Sequence, residues 1–181
     1  MNLLLVAVGL SKVVFGGLVA ALGIWLAFRG LNRLLGTADP TGDLRNGNVA
    51  AGVVHAASLL ALGLLVQNAV SATFDAVDLT FHGPSVALSA LARLAFFALM
   101  HVGVSLLVGT GVLALGVILF DKMTPGLDEL AEVRRGNVAL ALVLAAILVV
   151  IALLTAPGLQ ATLNGLIPFP TLPPSTLRAP S

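Results

Sequence analysis

Three ionisable residues, Lys12, His55 and His101, fall within or beside long apolar runs of this chain. An ionisable group in such a segment is a functional hypothesis by default, because hydrocarbon solvates it poorly. The chemistry open to these three is proton or ion handling. Each also has a structural reading. Lys12 precedes Arg29 by 17 residues, roughly 25 Å at helical rise, which places it near an interface where its ammonium snorkels to water. His55 lies seven residues after Asn48, and a lone imidazole with no neighbouring carboxylate is better suited to bonding a backbone carbonyl than to relaying protons. His101 occupies the position in its own run that Lys12 occupies in the first. His82, with Asp75 and Asp78, offers three donors whose spacing matches no metal site, and a solvated loop accounts for them. No metal site and no cofactor is expected.

A second group could bind anions. Gly47-Asn48-Val49-Ala50 recurs as Gly136-Asn137-Val138-Ala139, 89 positions on, with Arg45 and Arg134 in matching places. Asp39 and Asp128, Arg33 and Lys122, and Ala56-Ala57 and Ala145-Ala146 align at the same offset. Each tetrapeptide opens an apolar run. Asn is a favoured N-cap, because its side-chain oxygen accepts from a free backbone N–H. Glycine before it permits the turn into the helix. Capping alone explains the pair, since unsatisfied helix ends near a membrane are costly. A symmetric anion or lipid-phosphate site, helped by Arg45 and Arg134, is the sharper alternative.

A third group, Asp121, Lys122, Asp128, Glu129 and Glu132, clusters between two apolar runs and is read as a water-facing surface. Such a surface suits docking of a cytoplasmic protein. Leu127, Leu130 and Val133 share one side of the same segment, 126–135, which suits a short helix lying at the membrane interface. There is no phosphate-binding loop, zinc motif, nucleophile elbow or intramembrane carboxylate pair, so the chain is not expected to be an enzyme.

The elements that must hold these groups follow from composition. Apolar residues make up 59% of the chain and charged residues 9%, against about 25% charged in a soluble domain. A bilayer is therefore the solvent, and spanning helices are the default. A net charge of +1 gives no case for nucleic acid, and the absence of cysteine removes disulfides and thiolate sites. The first ten residues lack a charged leader and a cleavage site, and are read as the start of an uncleaved first span.

Four stretches are long enough to cross roughly 30 Å of hydrocarbon. They run over about 13–35 (with an extension back to residue 3), 48–70, 88–120 and 137–156. The expected organisation is a first two-span repeat (1–70), an outer connection (71–87), a second repeat (88–156) and a proline-rich tail (157–181). That tail is expected to be extended, with Leu166, Ile167 and Phe169 at the bilayer surface. The fold class is all-α: a polytopic membrane protein whose two tandem, parallel two-helix repeats form a compact bundle about a pseudo-two-fold axis. Glycines such as Gly16, Gly23, Gly63, Gly109 and Gly116 allow close helix approach. Arg29, Arg33 and Arg45 flank the first connection, and Lys122, Arg134 and Arg135 the third, whereas 71–87 has no lysine or arginine. The positive-inside rule puts the first and third connections in the cytoplasm and both termini outside.

Phe120-Asp121-Lys122-Met123-Thr124-Pro125, an acidic stretch, and Gly136-Asn137-Val138-Ala139 opening a helix together resemble a bacterial inner-membrane family. This is domain-of-unknown-function family 350, which includes the YjfL-like proteins. The resemblance covers about residues 13–156. In the first repeat Asn32-Arg33-Leu34-Leu35 replaces the Asp-Lys-x-Thr turn, while Asp39, Asp43 and Asn48 keep the later part. The resemblance implies a multi-pass protein of the bacterial inner membrane, associated with envelope-stress or membrane-remodelling systems. Two functions follow as expectations. One is a non-enzymatic membrane component that docks a cytoplasmic partner. The other is a small channel or transporter for an ion or small polar solute, which would require a homo-oligomer to enclose a pore.

Overall fold

The computed structural model describes residues 3–35, 40–81, 88–123 and 128–166. They form six helices: α1 (Leu3–Leu35), α2 (Pro40–Arg45), α3 (Val49–Phe81), α4 (Leu88–Met123), α5 (Glu129–Arg134) and α6 (Val138–Leu166). No strand occurs among the described residues. The four long helices, of 33, 33, 36 and 29 residues, are each long and apolar enough to cross a membrane. Helix is the form such sequences must take, because hydrocarbon offers no partner for an unpaired backbone group.

α3, α4 and α6 make the core. α3 packs most extensively against α6 and then α4, and α4 also packs against α6. Leu62 and Leu65 of α3, Leu113 and Val117 of α4, and Leu144 and Leu148 of α6 are nearly inaccessible within it. α1 lies on the flank, against α3 and α4, and scarcely touches α6. Its Leu10, Val14, Leu18 and Leu22 are exposed, as lipid-facing side chains of a spanning helix are.

Several boundaries differ from the sequence expectation. α3 continues to Phe81, so Ser71 to Phe81 is helix and not connection. Gln67, Asn68 and Asp75 signal the end of the apolar run there, but a helix keeps its backbone paired while passing into the interface. α6 likewise continues through Pro157 to Leu166. Proline removes one N–H and breaks helices in water, yet neighbouring elements sustain it in a spanning helix. Residues 157–166 therefore continue the α6 helix and are not an extended tail. Ile167, Phe169 and His82 lie outside the described residues, as do Asp39 and Leu127. The pseudo-two-fold is incomplete. An exact axis would repeat the α3–α4 packing as α6–α1 packing, and that second contact is all but missing.

Candidate functional site: paired turns at one end of the bundle

The two Gly-Asn-Val-Ala segments fold identically. In the first, Gly47 N–H donates to Leu44 O (3.1 Å) and Asn48 N–H to Asp43 O (3.0 Å). In the second, Gly136 N–H donates to Val133 O (3.0 Å) and Asn137 N–H to Glu132 O (3.0 Å). This pair of bonds is the Schellman ending of a short helix, which needs a left-handed residue just past the helix end. Gly47 and Gly136, at φ 72° and 95°, supply it. Each asparagine closes the short helix through its backbone N–H and opens the long one through its side chain. Asn48 Oδ1 accepts from Ala51 N–H at 3.1 Å, and Asn137 Oδ1 from Leu140 N–H at 3.4 Å.

The side-chain amides then diverge. Asn48 Nδ2 crosses to the other repeat and donates to Arg134 O at 2.9 Å. Gly136 lies close enough that a Cβ there would meet Asn48 Oδ1 at 3.8 Å. Asn137 Nδ2 stays within its own repeat and reaches Glu132 Oε2 at 3.4 Å. Both turns thus sit at one end of the molecule, tied by the bond from Asn48 to Arg134 O. Both asparagine side-chain oxygens are placed as helix caps. Arg45 is exposed, and Arg134 is half-buried with its carbonyl bound to Asn48.

The acidic segment divides. Asp128 is exposed and caps α5 by accepting from Ala131 N–H at 2.8 Å. Glu132 accepts from Arg135 Nη1 at 2.8 Å. That bond, followed by the one from Asn137, holds the Glu132 carboxyl below its ordinary value. Asp121 and Lys122 are exposed and 3.9 Å apart. Glu129 is the exception. It is 1% exposed, and neither carboxyl oxygen has a hydrogen-bond partner. The expectation that it faces water and a partner is overturned. It shares a side of α5 with buried Val133, four residues on, and that side rests on α3, α4 and α6. α5 therefore plugs the end of the bundle, where the sequence pattern suggested a helix on the lipid surface. Acid identity hid this, because a carboxylate reads as solvated.

The ionisable residues of the spans are separate from one another. His55 is buried on α3, with Nδ1 2.8 Å from Ala51 O and Nε2 3.1 Å from Asn32 Oδ1. Donation from Nδ1–H to Ala51 O, with the Asn32 amide turned to offer N–H to Nε2, satisfies both nitrogens. Phe28 lies against the ring at 4.7 Å. His55 thus bonds a backbone carbonyl of its own helix and also links α3 to α1 through Asn32, a partner the sequence did not indicate. Lys12 pairs with Asp78 at 2.6 Å and lies 5.6 Å from the Phe74 ring centre, which fixes the far end of α1 to α3. This is a partnered anchor, where snorkelling alone was expected.

His101 is nearly inaccessible and stacks on Phe97 at 3.9 Å. Its Nδ1 reaches Phe97 O at 3.2 Å, whereas its Nε2 and Ser105 Oγ, one turn on, are buried without a partner. Sequence reasoning missed Ser105 and Asn32, since single small polar residues in apolar helices carry no periodic signal. No cluster of three or more metal-ligating side chains occurs among the described residues.

These features define a multi-pass helical membrane protein with two similarly built turns at one end. The chain belongs to the family described as Domain of Unknown Function (DUF350), which it matches over residues 4–103 and again over 94–169. No curated protein and no solved structure matches it.

Proposed function

We propose that this protein is a non-enzymatic component of the bacterial inner membrane that docks a cytoplasmic protein at the end of the bundle closed by α5. The observation that carries this reading is the exposed set Asp121, Lys122, Asp128 and Arg135 around a plug that is itself anchored by Val133. A charged rim on a fixed helix offers a partner a preorganised surface, which limits the ordering cost of binding. The excess of arginine and lysine around both turns favours a cytoplasmic placement. The family resemblance links such a component to envelope-stress or membrane-remodelling systems. The test places a photo-crosslinking amino acid at Lys122 or Asp128 in living cells. A cytoplasmic protein should be captured from both sites, and Asp121→Ala with Asp128→Ala and Glu132→Ala should abolish the capture. Undiminished capture by that triple variant would overturn docking through this surface. Glu129 is left unaltered, because its burial makes it a folding variant.

A second reading is an oligomeric channel or transporter for an ion or small polar solute. Two unpartnered polar atoms inside a span, His101 Nε2 and Ser105 Oγ, favour it. Proteoliposome flux abolished by His101→Ala and Ser105→Ala supports that reading, and no flux at all removes it.

A further inference from the structure

A cavity of about 390 Å³ opens between α1 and α3. Gly16, Gly23 and Ile24 form part of its α1 wall, and Leu59, Gly63 and Val66 part of its α3 wall. Its polar edge is made by Gln67 and Ser71, which are exposed and make no hydrogen bond among the described residues. Glycine creates the space. A Cβ at Gly63 would meet nothing within 4 Å, and one at Gly23 would only touch Leu62 and Leu106 at 3.8 Å.

The repeat-related gap, between α4 and α6, is closed. At the 89-residue offset, Gly16, Ile24, Leu59 and Gly63 correspond to Ser105, Leu113, Leu148 and Ala152, and all four of these are buried. The opening is therefore a property of the first repeat and not of the repeat design.

We propose that this groove holds one acyl chain of a membrane glycerophospholipid, with the chain's ester group against Gln67 and Ser71. Depth supports the assignment. With Asn48, where the apolar run begins, set at the near boundary, Gln67 and Ser71 lie about 28 and about 35 Å along α3 and straddle the far boundary of a roughly 30 Å hydrocarbon layer. Ester groups of the far leaflet sit at that boundary, and the groove runs inward from it as an acyl chain does. An amide and a hydroxyl facing lipid there need polar partners, which ester oxygens provide.

Charge plays no part, because the nearby Lys12 is already paired with Asp78. Lipid tails surround the whole bundle, so retention comes from shape fit and from the two polar contacts, not from the hydrophobic effect.

The test reconstitutes the full chain in vesicles containing a phospholipid with a diazirine midway along one acyl chain, and maps the adducts by mass spectrometry. Adducts should concentrate on Val19–Ile24 and Leu59–Val66, above the level at Leu107, Leu142 and Leu154, which are exposed elsewhere. Gly63→Leu fills the groove without a backbone clash. It should cut the groove adducts roughly three- to tenfold, the range that membrane polar contacts and packing support, and leave Leu154 labelling unchanged. Gln67→Leu with Ser71→Ala should act in the same direction. Ala20→Leu serves in place of Gly63→Leu if the latter does not fold. Phosphatidylcholine and phosphatidylglycerol probes should label alike. Adducts spread evenly over all exposed positions, or labelling confined to the anionic probe, would overturn the proposal, as would indifference to the filled groove.

Discussion

The α1–α3 pair and the α4–α6 pair are each joined through a turn with the same backbone bonds, yet they pack differently. In the second pair, Gly109 and Gly116 lie where a Cβ would come within 2.5 Å of Leu62 and 2.7 Å of Leu148. Those glycines let α4 press into both α3 and α6. The first repeat has Ala20 and Ala27 at the corresponding positions. Ala27 is buried, but Ala20 is exposed and borders the open groove. Local turn chemistry is thus reproduced wherever its four or five residues recur, whereas helix packing depends on which surface positions are left without side chains.

The largest effect should come from breaking this difference directly. Gly116→Leu, at the α4–α6 contact with Leu148, should destabilise the protein by about 1–3 kcal/mol, the usual cost of overpacking a filled interface. Ala20→Leu, which points into open space, should change stability by less than about 0.5 kcal/mol. Thermal unfolding of the two purified variants in detergent measures both. Equal losses would mean that the two pairs are packed alike.

Next in size is the pair of caps. Asn48 makes a 3.1 Å cap and a 2.9 Å bond to the other repeat, whereas both side-chain bonds of Asn137 are 3.4 Å long. Removal of a cap costs about 0.5–2 kcal/mol. Asn48→Ala should fall at the upper end of that range and Asn137→Ala at the lower. Asn48→Asp should keep the cap but lose the donation to Arg134 O, and so lie between alanine and wild type. A symmetric response at the two positions would remove the cross-repeat bond as a stabilising contact.

The smallest effect sharpens the comparison through pH. Glu132 of the second turn has a carboxyl held below its ordinary value by Arg135. A depressed carboxylate adds stability above its unfolded-state value and loses it as pH falls through the folded-state value. Unfolding temperatures followed below pH 4.5, the ordinary glutamate value, should show a slight acid-dependent loss in the wild type. Glu132→Gln should lack that component. Identical pH profiles would mean that the surface bond contributes nothing measurable, as many exposed pairs do.

The turns were legible in the sequence because their cause is local: glycine for the left-handed residue, asparagine for the cap. The spans were legible because apolar length has one solution in a bilayer. Helix ends were less so. The second apolar run reads as ending near Val70 and the proline-rich tail as starting at Pro157, yet the α3 and α6 helices continue past both. Glu129 was misread outright, since its burial is set by how α5 docks on three other helices, and no residue near it in sequence encodes that. The groove was equally hidden. Gly23 and Gly63 read as close-approach glycines, and only the packing shows that nothing approaches Gly63 and only leucine side-chain ends approach Gly23.

The length of α6 has its own consequence. Its apolar part, Val138–Ala156, is 19 residues without Asp, Glu, Lys or Arg, about 28 Å at 1.5 Å per residue, and so matches a hydrocarbon layer of roughly 30 Å with little inclination. The ten residues that follow, Pro157–Leu166, carry Gln160, Thr162 and Asn164 and lengthen the same helix by about 15 Å. Pro157 therefore stands where the apolar rod ends, and a bend there would re-aim the polar turns without moving the span. A thinner bilayer would load this joint first, because α3 grips the apolar part of α6 most closely of all its neighbours.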